Sequence, residues 1–161
     1  MTPRVRSAAL IAAVILLDRL SKLYIRSAFS PLDLTPVISG VFNIVHVENP
    51  GAAFGFLADS DGPWRRLLLV GVSLAVMGVI SVILWRTGAQ AFGLLQAGLA
   101  FVLGGAMGNF WDRAFRGTVT DFLQVFLGSY EFPSFNVADI CINIGAGLLL
   151  LDLWRNRKTA L

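Results

Sequence analysis

The sequence predicts an all-α membrane bundle of four transmembrane helices, with a small sheet resting on its outer surface. Three observations lead there. The chain of 161 residues is 56% hydrophobic and only 14% charged, where a soluble domain of this size carries about 25% charged residues. Its mean hydropathy is +0.72. Its apolar residues fall into four runs, separated by segments rich in turn and β-branched residues. The length suits one domain, so residues 1–161 are read as a single integral-membrane unit.

About 20 apolar residues are needed to cross a bilayer. LLLVGVSLAVMGVISVILW (67–85) meets that with no charge, and a glycine-rich run predicts a helix over 91–111. A third run, 137–154, carries Asp139 at one end and Asp152 at the other. The first helix is read over 7–26. There SAALIAAVILL follows MTPRVR and is itself followed by DRLSKLYI. A cleaved signal sequence would need a small-x-small site after the apolar run; Asp18, Arg19 and Lys22 stand there instead, so the helix is read as retained.

Four spans put both termini on one side. Arg4, Arg6, Arg86, Arg155, Arg157 and Lys158 lie on that side, against Arg26, Arg65, Arg66, Arg113 and Arg116 opposite. The majority is narrow but both tails agree, so the positive-inside rule gives N-in and C-in. The outer side then holds two β-rich segments, 36–57 and 116–133. VFNIVHVEN (41–49) and TVTDFLQVF (118–126) read as strands within them. Phe54, Phe56, Phe110, Trp111, Phe115 and Phe122 suit an interfacial aromatic belt.

The net charge of +3 is scattered, with no basic cluster and interleaved aromatics of the kind that binds nucleic acid. Cys141 is the only cysteine, which rules out an intramolecular disulfide and a cysteine metal cluster. It reads as a packing residue, and Gly104 and Gly108 as a small-xxx-small helix contact. His46, the only histidine, reads as interfacial, and Asp33, Asp59, Asp61 and Glu131 as solvated loop residues.

The remaining polar residues collect at one depth, toward the outer side. Asp18 and Lys22 are four apart on the first helix and can pair. Asn49 opens NPGAAFG. Asn109, Asp112 and Arg113 end the third helix, the last two reading as an ion pair that supports the outer loop. Asn136, Asp139 and Asn143 begin the fourth and share one helix face. Asp121 sits in an apolar strand. A charged group at mid-bilayer costs about 2.5–3.5 kcal/mol on insertion scales. Asp121 and Asp139, with no adjacent Lys or Arg, are therefore read as functional.

Too few ligands accompany them for a metal site, and no serine stands in an elbow context near a histidine. Two crowded carboxyls share one proton. The ionised member can take a proton from water while the other donates one to a scissile carbonyl, which amounts to amide hydrolysis without a covalent intermediate. Intramembrane carboxylates also serve proton-coupled transport, and polar residues can simply lock a helix bundle. The residues alone leave all three open.

DRLSK (18–22), NPGAAFG (49–55), GGAMGNFWDR (104–113), VTDF (119–122) and FNVAD (135–139) together resemble the bacterial lipoprotein signal peptidases, signal peptidase II, in order and approximate spacing. The resemblance implies an intramembrane aspartic peptidase of four transmembrane helices with an extracytoplasmic β-cradle. It implies a catalytic dyad of Asp121 and Asp139. Asn49, Asn109, Arg113 and Asn136 would position substrate around it, and Asp18, Lys22 and Asp112 would support it. The implied substrate is a prolipoprotein, cut just before its diacylglyceryl-modified cysteine, at the periplasmic face of the bacterial inner membrane. The expected partners are that substrate and membrane lipids, with no nucleic acid, no metal and no cofactor, and the chain is expected to act as a monomer.

Overall fold

The computed structural model describes residues 1–51, 63–88 and 91–157. The chain runs α1 (Pro3–Ala28), β1 (Leu34–Ile38), β2 (Phe42–Asn49), α2 (Pro63–Thr87), α3 (Leu94–Phe115), β3 (Val119–Leu127), β4 (Tyr130–Phe135) and α4 (Val137–Asn156). Phe54, Phe56, Asp59, Asp61, Lys158 and the later part of the 49–55 motif lie outside the described residues.

Among the described residues three helices, α2, α3 and α4, are long and apolar enough to cross a membrane. Helix α1 differs because it carries Arg4, Arg6, Asp18, Arg19, Lys22 and Arg26. Thr2 caps its start, accepting a hydrogen bond from the Val5 N–H at 3.4 Å. Many large apolar side chains face outward, among them Leu67, Val79, Leu150 and Leu153, as expected where lipid is the solvent.

Helix α3 is the centre of the bundle, packing on α1, α2 and α4. Its glycines set how close those neighbours come. A Cβ at Gly105 would lie 2.5 Å from the Ala138 carbonyl oxygen on α4, and one at Gly104 would lie 2.8 Å from the Val14 Cβ on α1. Backbones that approach this closely gain dispersion and interhelical polar contacts, which hold helices together in lipid. Met77, Ile80, Leu99 and Leu103 form the apolar core between α2 and α3.

The four strands form one antiparallel sheet in the order β1-β2-β3-β4. In the central ladder Val47 faces Asp121, Glu48 faces Thr120 and Asn49 faces Val119. Gly128, at φ +65, makes the tight reversal into β4. Pro133 lies on β4, an edge strand, where a missing N–H costs no ladder bond.

Three expectations are corrected here. His46 is buried rather than interfacial, with Nδ1 2.8 Å from the Phe29 carbonyl and Nε2 3.1 Å from Glu48. Phe122, on β3, is buried and takes no part in an aromatic belt. Glu131 lies in β4, where it accepts a hydrogen bond from Gln124. A single-residue reading misses such partners because they come from other elements.

Candidate active site

The start of α4 is fixed by its own sequence. Asn136 is the N-cap, and its Oδ1 accepts the Asp139 N–H at 3.1 Å. Asp139 Oδ2 in turn accepts the Asn136 N–H at 3.1 Å. This reciprocal box satisfies two helix N–H groups that would otherwise lack partners, and it places a carboxylate where the helix dipole favours one. Asp18, 120 residues away on α1, accepts the next free donor, the Ala138 N–H, at 3.0 Å.

Asp121 arrives from β3. Its Oδ1 accepts from the Asn136 side-chain amide at 2.7 Å and its Oδ2 from the Asn49 amide at 3.0 Å. Asn49 is held in place by its own Asx turn, its Oδ1 accepting the Gly51 N–H at 2.9 Å. Asn136 thus bonds to both aspartates. Asn109 on α3 completes the set by donating to Asp139 Oδ1 at 2.8 Å.

Behind these residues lies a buried charge cluster. The Lys22 ammonium is fully buried and meets Asp18 at 2.9 Å, Asp112 at 3.0 Å and the Asn109 side-chain oxygen at 2.9 Å. With its oxygen held by Lys22, the Asn109 amide is turned to offer its N–H to Asp139. Asp112 also pairs with Arg19 at 2.6 Å and lies 3.6 Å from Arg26. The expected pairing of Asp112 with Arg113 is not formed. Neighbours along a helix point about 100° apart, so Asp112 turns to α1 while Arg113 turns to the opening of the site. Arg113 donates to the Gly51 carbonyl at 3.3 Å and faces Asp139 and Asp121 electrostatically.

The residues that sequence reading did not single out form the far side of this cluster. Arg26 donates to Thr120 at 2.8 Å, and Thr120 donates to Glu48 at 2.8 Å. Glu48 also accepts from Thr118 at 2.5 Å and lies 3.8 Å from Arg116. Burial alone would raise the Glu48 pKa, but the bonds from Thr118, Thr120 and His46 and the Arg116 charge outweigh it and hold the group below its ordinary value. Arg19, Lys22 and Arg26 fall at i, i+3 and i+7, a spacing that puts all three on one helix face and could have flagged the cluster.

Asn49, Asn109, Arg113, Asp121 and Asp139 line a cavity of about 460 Å³. Phe132, Phe135, Ile140 and Ile144 give it an apolar wall. Burial pushes the Asp121 carboxyl up to about 6; the Asn49 and Asn136 bonds work against the rise, and the Asp139 charge adds to it. Among the described residues no three His, Cys, Asp or Glu side chains converge as metal ligands. The arrangement presents two carboxyls, amide donors and a guanidinium beside an apolar groove. Such groups can hydrogen-bond a polar group brought into the cavity and move protons at it.

The family model described as Signal peptidase (SPase) II matches residues 10–155. The chain is 43% identical over 145 residues to a lipoprotein signal peptidase of Syntrophus aciditrophicus, covering 90% of this chain and 89% of that one. It is 37% identical to one from Yersinia pseudotuberculosis, covering 89% and 83%. A bacterial membrane enzyme solved by the in meso method at 2.3 Å superposes with a TM-score of 0.80 at 26% identity, over 96% of this chain and 90% of that one. A match over nearly the whole chain, in sequence and in fold, shows that the protein belongs to the signal peptidase II family.

Proposed function

We propose that this protein is an intramembrane aspartic endopeptidase. It removes the signal peptide from diacylglyceryl-modified prolipoproteins, cutting N-terminal to the lipidated cysteine. Asp121 and Asp139 share one proton and activate water between them. The observation that carries this reading is Asn136, hydrogen-bonded to both carboxyls at the edge of a cavity with an apolar wall. The names of the similar proteins, lipoprotein signal peptidases, support the substrate class.

Asp121, held up to about 6 by burial, keeps the shared proton and serves as general acid. Asp139 takes a proton from water as the water oxygen attacks the scissile carbonyl carbon. Asp121 gives its proton to the carbonyl oxygen, leaving a neutral tetrahedral diol. As that collapses, Asp121 recovers a hydroxyl proton, Asp139 returns its own to the leaving amine, and the C–N bond breaks. Asn49, Asn109 and Arg113 orient the peptide, and the Asp18–Lys22–Asp112 cluster holds Asn109 in place.

Helix α1 serves as the fourth span. Asp18 and Lys22 are buried against α3, while Leu16, Leu17, Leu20 and Leu23 face outward, so lipid meets hydrocarbon. Both termini are then cytoplasmic, and the dyad lies at the periplasmic face of the bacterial cytoplasmic membrane. The reaction needs no metal or cofactor, and a single chain carries the whole site.

In cells relying on this protein, Asp139→Asn is expected to leave membrane insertion intact while diacylated prolipoprotein accumulates uncut. Mature lipoprotein at the wild-type level would refute the proposal.

A further inference from the structure

Helices α1 and α2 both pack on α3. At the end of the bundle away from the sheet they meet each other, where Arg4 stacks over Trp85 at 4.6 Å. Toward the sheet they leave a cleft of about 740 Å³, lined by Leu74 and Gly78 of α2 and by Leu103 and Met107 of α3. A Cβ at Gly78 would meet nothing within 4 Å. This cleft shares no residue with the cavity around Asp121 and Asp139.

Arg19 and Trp111 stand at its sheet end, the guanidinium 5.6 Å from the ring centroid. The buried cluster behind them holds three cations, Arg19, Lys22 and Arg26, against two carboxylates, Asp18 and Asp112. Glu48 and Arg116 beyond it offset each other. One positive charge is left over. Among the three cations Arg19 is the most exposed, at 23% against 0% for Lys22 and 12% for Arg26. Arg19, though it meets Asp112 at 2.6 Å, is also the one of the three that lines the cleft, so the positive side of the cluster faces its mouth, beside a tryptophan of the kind that sits at headgroup depth.

We propose that the cleft holds one anionic phospholipid, with an acyl chain between α1 and α2 and the headgroup phosphate on Arg19. Its hydrocarbon would fill the space that the two helices leave, and its phosphate would match the positive charge that Arg19 brings to the mouth. A zwitterionic lipid would fit the hydrocarbon part but would leave the surplus charge unmatched.

The test uses the purified, delipidated full chain in detergent, with phosphatidylglycerol and phosphatidylcholine as probes. Phosphatidylglycerol is expected to raise the melting temperature by about 5 °C, and phosphatidylcholine by much less. One phosphatidylglycerol is expected to remain bound in native mass spectrometry. Gly78→Leu fills the cleft; it should keep prolipoprotein cleavage and its melting point in detergent alone, yet lose both lipid responses. Ser81→Leu, on the same wall, repeats the test if the first variant does not fold. Arg19→Gln should bring the two lipids to equal effect. Equal shifts with the wild-type protein, a full shift in the filled variants, or displacement of the lipid by a transmembrane signal-helix peptide would each overturn the proposal.

Discussion

Asn136 donates to Asp121 Oδ1 at 2.7 Å through the same side chain whose oxygen caps the N–H of Asp139. One residue therefore both starts α4 and ties the strand carboxyl to the helix carboxyl. The two roles separate by substitution. Asn136→Ala loses the cap, worth about 0.5–2 kcal/mol, and the bridge as well. Asn136→Ser should regain most of the stability through its hydroxyl cap but little of the activity, since serine is too short to bridge. Melting curves beside kcat and KM for both variants check this.

Lys22 pairs with two carboxylates in a site with no solvent access. Lys22→Met should cost about 3–5 kcal/mol, the usual penalty for leaving a buried charge without its partner. Adding Asp18→Asn to that variant should recover part of the loss. Chemical unfolding of the single and double variants in detergent measures both effects.

Gly105 tests how far the site depends on helix spacing. An added Cβ would lie 2.5 Å from the Ala138 oxygen, which is backbone and cannot turn aside. Gly105→Ala should cost about 1–3 kcal/mol by overpacking. It should also cut cleavage well beyond that stability loss, because α4 would move and carry Asp139 with it. Gly147→Ala meets nothing within 4 Å and is the neutral control. Parallel melting and cleavage measurements decide.

Much of this arrangement is legible in the sequence, and the limits are physical. The Asp18–Lys22 pair follows from helical spacing, and the two strand segments follow from their β-branched residues between turns. Asp121 and Asp139 stand out because their apolar surroundings offer a charge no local partner. What spacing does not encode is which distant group supplies the partner. Asp112 looks paired with Arg113 along the chain, yet it turns to Lys22 and Arg19 on α1. Hydropathy ranks α1 poorly for a similar reason, since it cannot know that Asp18 and Lys22 cancel inside the bundle. Nothing in the local sequence marks Glu48 or the buried place of His46, because their bonds to Thr118, Thr120 and Phe29 exist only after the sheet closes.

The Asp121 carboxyl gives a pH test with a definite sign. Its pKa rises from 3.8 to about 6 in the folded protein, so the native state holds this proton more tightly than the unfolded chain. The stability it contributes is complete below the unfolded value and is lost as pH rises through about 6. Asparagine cannot ionise, so the melting temperature of Asp121→Asn should gain on the wild type by several degrees between about pH 4 and about pH 7. A constant difference across that range would contradict the shift.

The most direct test of the shared-proton dyad is single-turnover cleavage of a diacylated prolipoprotein by purified wild type, Asp121→Asn, Asp139→Asn and the double variant. Groups that work as a unit lose their effect together. Each single variant should fall by about 10³-fold or more, with the double variant no slower than either. If either single variant retained a substantial fraction of the wild-type rate, or if the two losses multiplied, the carboxyls would be acting separately and the central claim would fail.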